Sequence, residues 1–546
     1  MGAWSPAPPG RRFVGEQLTI PGVLDARTAE RPEQPLIVIA DEPFTYLEIQ
    51  ARSVAAANSL SRLGIAAGDR VAIFMGTSPD WVALWFGVAR LGAVAVPINT
   101  AYRGDFLAHQ LRQSRTKLVA VDRSLWPRVA AVAGELPDLH TVLVRDDGTP
   151  QPEDPAPPSG PALLDLDVVW EGERDRLLVP TGVAYDRPGA IFYTSGTTGP
   201  SKGALASNHY LMTAAQTMLD CWRLEEGEVM YAPLPLFHLS AVGSVLGPML
   251  AGGTGVLEKA FSVHAFWDQV RRYQAAGVAL AGAMVTMLWN LEPDERDAEV
   301  PMRFMSAAPV EKEIYLGIEE RYRCRIVTAY GMSEAFPLSY TAYGVDNPPG
   351  ASGRLNPDFD VAIFDDEDRE VPPGTVGEIV CRPRRRYVMF DGYDGREADT
   401  LAQLRNLWFH TGDLGRVDAD GNLAYADRKK DAMRRRGENI SSFEVEQALA
   451  RHPAVAEVAA IGVPSDLGED DVMVCLVARP GTEIEVEPFM DFCCERLPYF
   501  AVPRYVDVMA ELPKNAVGRV LKHELRARGV TDDTWDRETA GYAVTR

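Results

Sequence analysis

The sequence predicts an α/β protein, with a large N-terminal part built from βαβ sheets plus a β-rich subdomain and a separate small α/β C-terminal domain. Three observations predict it. Residues 70–75 form a short apolar run, Pro79-Asp80 opens an apolar helical face over 81–91, and 93–96 reads as a second strand. Strand, helix and strand within about 30 residues make the βαβ unit of a parallel sheet. Around 360–383 the pattern changes: Val361-Ala-Ile-Phe364 and Val376-Gly-Glu-Ile-Val-Cys381 flank Pro372-Pro-Gly374, as antiparallel strands flank a turn. Near the end, Ser441-Ser442 caps a helix bearing Phe443, Val445, Ala448 and Leu449, and strands follow near 455–461 and 472–477.

The intervening elements follow in order. A second helix-to-strand passage ends at 118–121, and 140–144 reads as a further strand. The proline-rich stretch 146–162 is a surface loop expected to end one subdomain. The middle third alternates strand-like and helix-like pieces. The charged run Asp427-Arg-Lys-Lys-Asp431 suits a hinge, which divides the chain into domains 1–427 and 428–546.

Composition narrows the function classes. The 546 residues allow several compact units, and 46% hydrophobic, 9% aromatic and 24% charged residues exclude a wholly disordered or collagen-like chain. Lys and Arg number 55 against 77 Asp and Glu, a formal net charge of −22. An excess this acidic repels phosphate backbones and anionic lipid, so no nucleic-acid or membrane partner is expected. A small anionic ligand stays open, because local donors outweigh a distant field. The six cysteines form no C-x-x-C pair and read as free thiols of a reducing cytoplasm. The N-terminus lacks the apolar core of a signal peptide. The longest apolar run, 278–288, is short of the roughly 18 residues of a membrane span. A cytoplasmic protein is the expectation.

The chemistry concentrates in Ala190-Ile-Phe-Tyr-Thr-Ser-Gly-Thr-Thr-Gly-Pro-Ser-Lys-Gly203. An apolar strand runs into Thr194, Ser195, Gly196, Thr197, Thr198 and Gly199, and Lys202 follows. Glycines and small hydroxylated residues let backbone N–H groups and hydroxyls close around phosphate oxygens, and a lysine adds charge. The G-x-x-x-x-G-K-[ST] spacing of the common P-loop is absent.

Residues 193–203 resemble the phosphate-binding signature of the adenylate-forming enzymes, which include acyl-CoA synthetases, peptide-synthetase adenylation domains and firefly luciferase. Pro235-Leu-Phe-His238, Thr328-Ala-Tyr-Gly-Met-Ser-Glu334, His410-Thr-Gly-Asp413, Arg428-Lys-Lys-Asp431 and Gly437-Glu-Asn-Ile440 match further family motifs in the expected order. The wording looks closest to bacterial acyl-CoA ligases of the carnitine/crotonobetaine type. The resemblance implies three subdomains in the large domain and a mobile small one. It also implies activation of a carboxylic acid by ATP to acyl-AMP, with pyrophosphate release, and transfer to the CoA thiol.

Residue by residue, the resemblance assigns Tyr330 to adenine stacking and Ala307-Ala308-Pro309 to the turn framing the base. Ser333 is similar to the α-phosphate contact, and Glu334 to the carboxylate that holds Mg²⁺, an ion that needs only one or two protein carboxylates beside the substrate phosphates. Asp413 resembles the ribose acceptor, and Arg428 a ribose and phosphate contact. Asp431 resembles the hinge residue, Gly437 the glycine beside the phosphopantetheine arm, and His238 the aromatic gate.

One position departs from the family. Leu512-Pro-Lys-Asn-Ala-Val-Gly-Arg-Val-Leu-Lys522 puts Arg519 where the family has its catalytic lysine, with Lys522 at a later basic position. Arginine keeps the charge but is planar and bulkier. Arg519 serves, or Lys522 reaches in instead, or adenylation is slow or lost. A carrier-protein thiol, an amine or nitrite-type chemistry of secondary metabolism are alternative acceptors or substrates, and a non-catalytic adenylate-binding protein is a further alternative. His238 stands where amino-acid-activating domains carry an aspartate, which disfavours an α-amino acid. The small residues of 239–243, 281–284 and 306–308 leave space for an acid of unknown shape.

Overall fold

Arg70–Phe74 pairs in parallel with Val94–Pro97 on one side and with Leu118–Asp122 on the other, as the apolar runs predict. The computed structural model describes residues 13–150, 160–194, 200–308, 310, 312–428, 432–435, 438–465, 468–513 and 520–544. Its first sheet has seven strands in the order Ala162–Asp165, Thr141–Arg145, Leu118–Asp122, Arg70–Phe74, Val94–Pro97, Pro188–Thr194 and Lys202–Ser207. All neighbours are parallel except the last two, which form a hairpin.

The proline-rich stretch is not a subdomain boundary. Ala162–Asp165 follows it and pairs in parallel with Thr141–Arg145 of the same sheet. Composition marks a loop, but only strand pairing decides which sheet the chain re-enters.

A second seven-stranded sheet repeats the plan, running from Arg325–Val327 through Phe304–Ala308, Gly277–Ala281, Val229–Ala232, Thr254–Leu257 and Pro35–Ile39 to the antiparallel edge Glu42–Thr45. The β-rich section is antiparallel, as expected: Phe359–Phe364 pairs with Gly377–Pro383, which pairs with Trp408–Val417, which pairs with Leu423–Arg428. From Ala432 onward every strand pairs within the small domain, in a two-stranded ribbon and a four-stranded sheet. The helix Ser442–Leu449 and the strands Val455–Pro464 and Asp470–Ala478 fall where the sequence puts them. Asp431 lies outside the described residues.

The helix Pro79–Leu91 illustrates how local signals and packing agree. The Ser78 hydroxyl accepts from the Trp81 N–H, and Pro79 occupies the first turn, where its missing N–H costs nothing. Trp81 and Trp85 are fully buried and pack edge-on, 5.5 Å between ring centroids. Each buried aromatic removes some 150–250 Å² from water. Among the described residues no helix is long and apolar enough to cross a membrane. All six cysteines are free, and only Cys494 is partly exposed.

Gly92 ends that helix in the left-handed region, at φ 73°, and a Cβ there would stand 2.3 Å from the Gly182 carbonyl oxygen. Backbone conformation and contact both exclude a side chain. Gly92→Ala therefore destabilises the large domain by about 1–3 kcal/mol, read as a lowered urea midpoint with unchanged slope; an unchanged midpoint contradicts the account.

Candidate active site

The segment singled out in the sequence is the turn of a hairpin at the edge of the first sheet. Pro188–Thr194 and Lys202–Ser207 pair antiparallel, so Thr194 lies directly opposite Lys202. The two ends of the small-residue loop are thus held one strand apart. Ser195, Gly196, Thr197, Thr198 and Gly199 lie outside the described residues.

Ser333 and Glu334 are the two turn residues of another hairpin, Ala329–Met332 with Ala335–Tyr340, in which Met332 faces Ala335. That turn drives the Glu334 side chain into the protein, where it is buried. Its carboxylate accepts from the Thr194 hydroxyl at 3.1 Å and from the Tyr393 hydroxyl at 2.8 Å, and its backbone carbonyl accepts from Phe390 N–H at 2.8 Å. The Tyr210 hydroxyl supports the turn from below by donating to the Ser333 carbonyl at 3.1 Å. Burial, reinforced by the Glu334 charge, raises the Tyr393 phenol, which therefore stays a donor. Lys202 is also buried, its ammonium 5.0 Å from the Tyr393 ring and 3.6 Å from the Asp399 carboxylate.

Tyr330 lies within the strand Ala329–Met332, which follows the strand Arg325–Val327. Its hydroxyl donates to the Asp413 carboxylate at 2.9 Å. Asp413 is aimed there by a bulge. Across the strands Gly377–Pro383 and Trp408–Val417, Glu378 pairs with Leu414 and Val380 with His410, so residues 411–413 stand opposite Ile379 alone. Gly412 supplies the left-handed step at φ 74°. The Thr411 hydroxyl donates to the Ile379 carbonyl at 2.7 Å and accepts from Asp413 N–H at 3.1 Å, and buried His410 anchors the start beside Glu378, 3.2 Å away. Burial first, then the Asp413 charge, pushes the Tyr330 phenol well up. Arg428 is the strand partner of Asp413.

The small domain docks over this region. Glu444, on the helix Ser442–Leu449, accepts from the Ser201 backbone N–H at 2.6 Å, while His109 Nε2 meets the Ser201 carbonyl at 2.8 Å. His238 sits at the N-cap of the helix Leu239–Ala251 but makes no capping bond; its Nε2 lies 3.1 Å from the Glu438 carboxylate, which also accepts from the Asn99 amide at 3.2 Å. Burial pulls the His238 imidazole down, but the charge and hydrogen bond of Glu438 more than offset it, so its pKa stands above the ordinary histidine value.

The structure therefore brings together Thr194, Lys202, Ser333 and Glu334, sets Tyr330 against Asp413, and pairs the Arg428 backbone with Asp413. Ala307 and Ala308 end the strand Phe304–Ala308, with Ala281 paired to Ala308 on the neighbouring strand. Pro309, Gly437 and Arg519 lie outside the described residues. Lys522 is not brought to the cluster: its ammonium donates to Ser442 at 2.8 Å and pairs with Glu446 at 2.6 Å, both in its own domain. Sequence reasoning missed Tyr393, Asp399, Asn99, His109, Glu438 and Glu444. Glu438 had a signal, since it stands inside the motif Gly437-Glu-Asn-Ile440; the others are joined to the site by tertiary contacts alone.

The residues present fit a magnesium ion held jointly with substrate phosphates. Among the described residues no group of three His, Cys, Asp or Glu forms a metal site. Glu334, a single carboxylate fixed by two hydroxyl donors beside the loop, suits an ion that takes most of its ligands from phosphate and water.

Comparison with known proteins shows the family of the chain. The family described as AMP-binding enzyme matches residues 24–393, and its C-terminal domain matches residues 444–519. A crotonobetaine/carnitine–CoA ligase of Salmonella arizonae is 29% identical over 498 residues, covering 88% of this chain and 93% of that protein. A mutant o-succinylbenzoate CoA synthetase (MenE) of Bacillus subtilis bound with its product analogue OSB-NCoA has a TM-score of 0.79 at 23% identity, covering 93% of this chain and 98% of that one. The same enzyme in complex with AMP has a TM-score of 0.65 at 24% identity, covering 92% and 98%.

Since the His238 pKa is raised with the small domain docked, the ion pair with Glu438 is complete below the ordinary histidine pKa and is lost as pH rises through the raised value. Titration of the His238 ring by NMR gives an apparent pKa above about 6.5. In Glu438→Gln it falls below that, because burial then acts without its counterion. Equal values in both chains remove Glu438 as the cause.

Proposed function

Because the chain belongs to the AMP-binding enzyme family, we propose that it activates a carboxylic acid with ATP to acyl-AMP, releasing pyrophosphate, and passes the acyl group to the thiol of CoA. The observation that carries this reading is the Glu334 carboxylate, fixed by Thr194 and Tyr393 at the root of a small-residue loop with Lys202 on its opposite strand.

In this reading the acid attacks the α-phosphate in line with the departing pyrophosphate, and positioning with charge neutralisation supplies most of the catalysis. Magnesium, when bound, neutralises phosphate charge, and Glu334 is the residue that would hold it. Thr194 and Tyr393 keep Glu334 oriented without reorganisation during the step. Asp413 accepts the ribose hydroxyls, exchanging its Tyr330 donor for them, and the Tyr330 ring lies against adenine beside Ala307 and Ala308. Lys202, Arg428 and Arg519 supply the positive charge around the phosphates. The small domain then turns about Asp431, which falls between the strands Leu423–Arg428 and Ala432–Arg435. Gly437 admits the phosphopantetheine arm, with His238 held beside Glu438.

The acid carries an uncharged tail. No Lys, Arg, Asp or Glu occurs in the small-residue segments 239–243, 281–284 and 306–308. Gly243 is buried in the helix that His238 begins, yet among the described residues a Cβ there would meet nothing within 4 Å. A cationic tail would need a carboxylate among these segments.

The test is a panel of acids with ATP, with and without CoA, followed by mass spectrometry and pyrophosphate release. Neutral apolar acids give acyl-CoA with kcat/KM at least tenfold above carnitine; the reverse order overturns the substrate assignment. Acyl-AMP formed with no acyl-CoA overturns CoA as acceptor, and bound nucleotide without turnover overturns the enzyme reading. Glu334→Gln lowers acid-dependent pyrophosphate exchange by about 10²-fold, and Arg519→Ala lowers exchange more than Lys522→Ala. A Glu334→Gln chain with normal exchange sinks the assigned role of that carboxylate.

A further inference from the structure

The bulge that carries Asp413 leaves backbone groups outside the ladder. Residues 411–413 stand opposite Ile379 alone, so their N–H groups cannot all pair between the strands Gly377–Pro383 and Trp408–Val417. The Thr411 hydroxyl takes the Asp413 N–H at 3.1 Å, and the Gly412 N–H donates to Glu378 Oε1 at 3.2 Å. Among the described residues a Cβ on Gly412 would meet nothing within 4 Å, so the glycine is required by its φ of 74° and not by lack of space. The Glu378 side chain therefore grips the bulge at its left-handed step, immediately before Asp413.

Glu378 is itself fixed from behind. Alternation along Gly377–Pro383 puts Glu378 and Val380 on one face of the sheet, and His410, the partner of Val380, points to that face too. Both Glu378 and His410 are buried. Glu378 Oε2 lies 3.2 Å from His410 Nδ1, and Arg405 Nη2 donates to both, at 3.4 and 2.7 Å. A guanidinium can only donate, so Nδ1 is the bare nitrogen of a neutral His410. Arg405 is held in turn by Asp368, whose two oxygens take its Nε and Nη2 at 3.2 and 3.0 Å, a forked and charge-assisted pair. The buried charge of Glu378 is thus met from the surface by a half-exposed arginine on the short strand Leu404–Arg405, which pairs with Trp408–Val417. A bond from a hydroxyl to a carboxylate spans only about 2.5–2.7 Å, so a bulge displaced by a few tenths of an ångström weakens every bond that Asp413 makes to such a ligand.

We propose that Glu378 is a positioning residue for the nucleotide sugar: through the Gly412 N–H it fixes the bulge so that the Asp413 carboxylate meets two vicinal hydroxyls, and so sets the preference of the site for a ribonucleotide. Arg405 and Asp368 keep Glu378 in place and act on the sugar only through it. The inference rests on the reading of Asp413 as the ribose acceptor.

The test compares the Kd of ATP with that of 2′,3′-dideoxy-ATP by calorimetry on the full chain, with magnesium and without any acid. The wild-type chain binds ATP at least about tenfold more tightly, since the hydroxyl bonds to a carboxylate are charge-assisted. In Glu378→Ala the preference falls below about threefold, while the Kd of dideoxy-ATP, which makes no bond to Asp413, stays within about twofold of wild type. Glu378→Gln keeps an oxygen for the Gly412 N–H and restores the preference, which a purely electrostatic or packing role does not allow. A Glu378→Ala chain with the full preference, one in which both nucleotides weaken by the same factor, or a Glu378→Gln chain as impaired as Glu378→Ala overturns the proposal. Arg405→Met removes only a half-exposed side chain and lowers the preference at least about twofold by releasing Glu378; if Glu378→Ala does not fold, an unchanged preference in Arg405→Met overturns the proposal in its stead. A wild-type chain that binds both nucleotides equally sinks the ribose reading of Asp413 and the proposal with it, whereas a wild-type preference that survives in every variant sinks the role of Glu378 alone.

Discussion

A carboxylate taken out of water costs several kcal/mol unless donors replace its lost hydration, and the rest of the site is arranged around that cost at Glu334. Two hydroxyls meet the carboxylate, Thr194 from the root of the small-residue loop and Tyr393 from the connection between the strands Gly377–Pro383 and Trp408–Val417. The same residue's backbone carbonyl binds Phe390. One two-residue turn therefore ties together the edge hairpin of the first sheet, the hairpin Ala329–Met332 with Ala335–Tyr340, and the chain around 390–393. Three segments far apart in sequence have to be in register before the carboxylate can be buried at all.

The second arrangement of consequence is the seam between the domains. The acidic groups of the small domain meet partners of different kind: Glu438 takes a histidine and an amide, while Glu444 takes a backbone N–H of the loop. The net charge of −22 keeps polyanionic surfaces away, yet acidity is also used inside the molecule. Among the described residues Lys202 faces Asp399, and Lys522 is held by Ser442 and Glu446.

Much of the fold was legible because its signals are local. The apolar runs at 70–75 and 118–121, the cap Ser78-Pro79 and the turn Pro372-Pro-Gly374 each act over a few residues. The proline-rich stretch was misread because its composition reports only that the chain is a loop. Its return to the same sheet depends on Ala162–Asp165 finding Thr141–Arg145, a pairing with no local signature. Around Glu334 the motif residues were singled out by the family resemblance, whereas Tyr393, Asn99 and His109 carry no mark of function in their own neighbourhoods.

The sequence by itself determined the class of the fold, because its strand, helix and turn signals are local, and the family resemblance of its short motifs singled out the small-residue loop, Glu334, Tyr330 and Asp413. Only the tertiary structure decided which groups those residues face. The bulge that aims Asp413 at Tyr330, the tyrosine that completes the Glu334 cage, and the carboxylates that the small domain lays on His238 and Ser201 all arise from strand register and domain docking. Their physical reason is burial: a charge removed from water is stabilised by whichever donors the folded chain brings within about 3 Å, and that company is set by the whole structure.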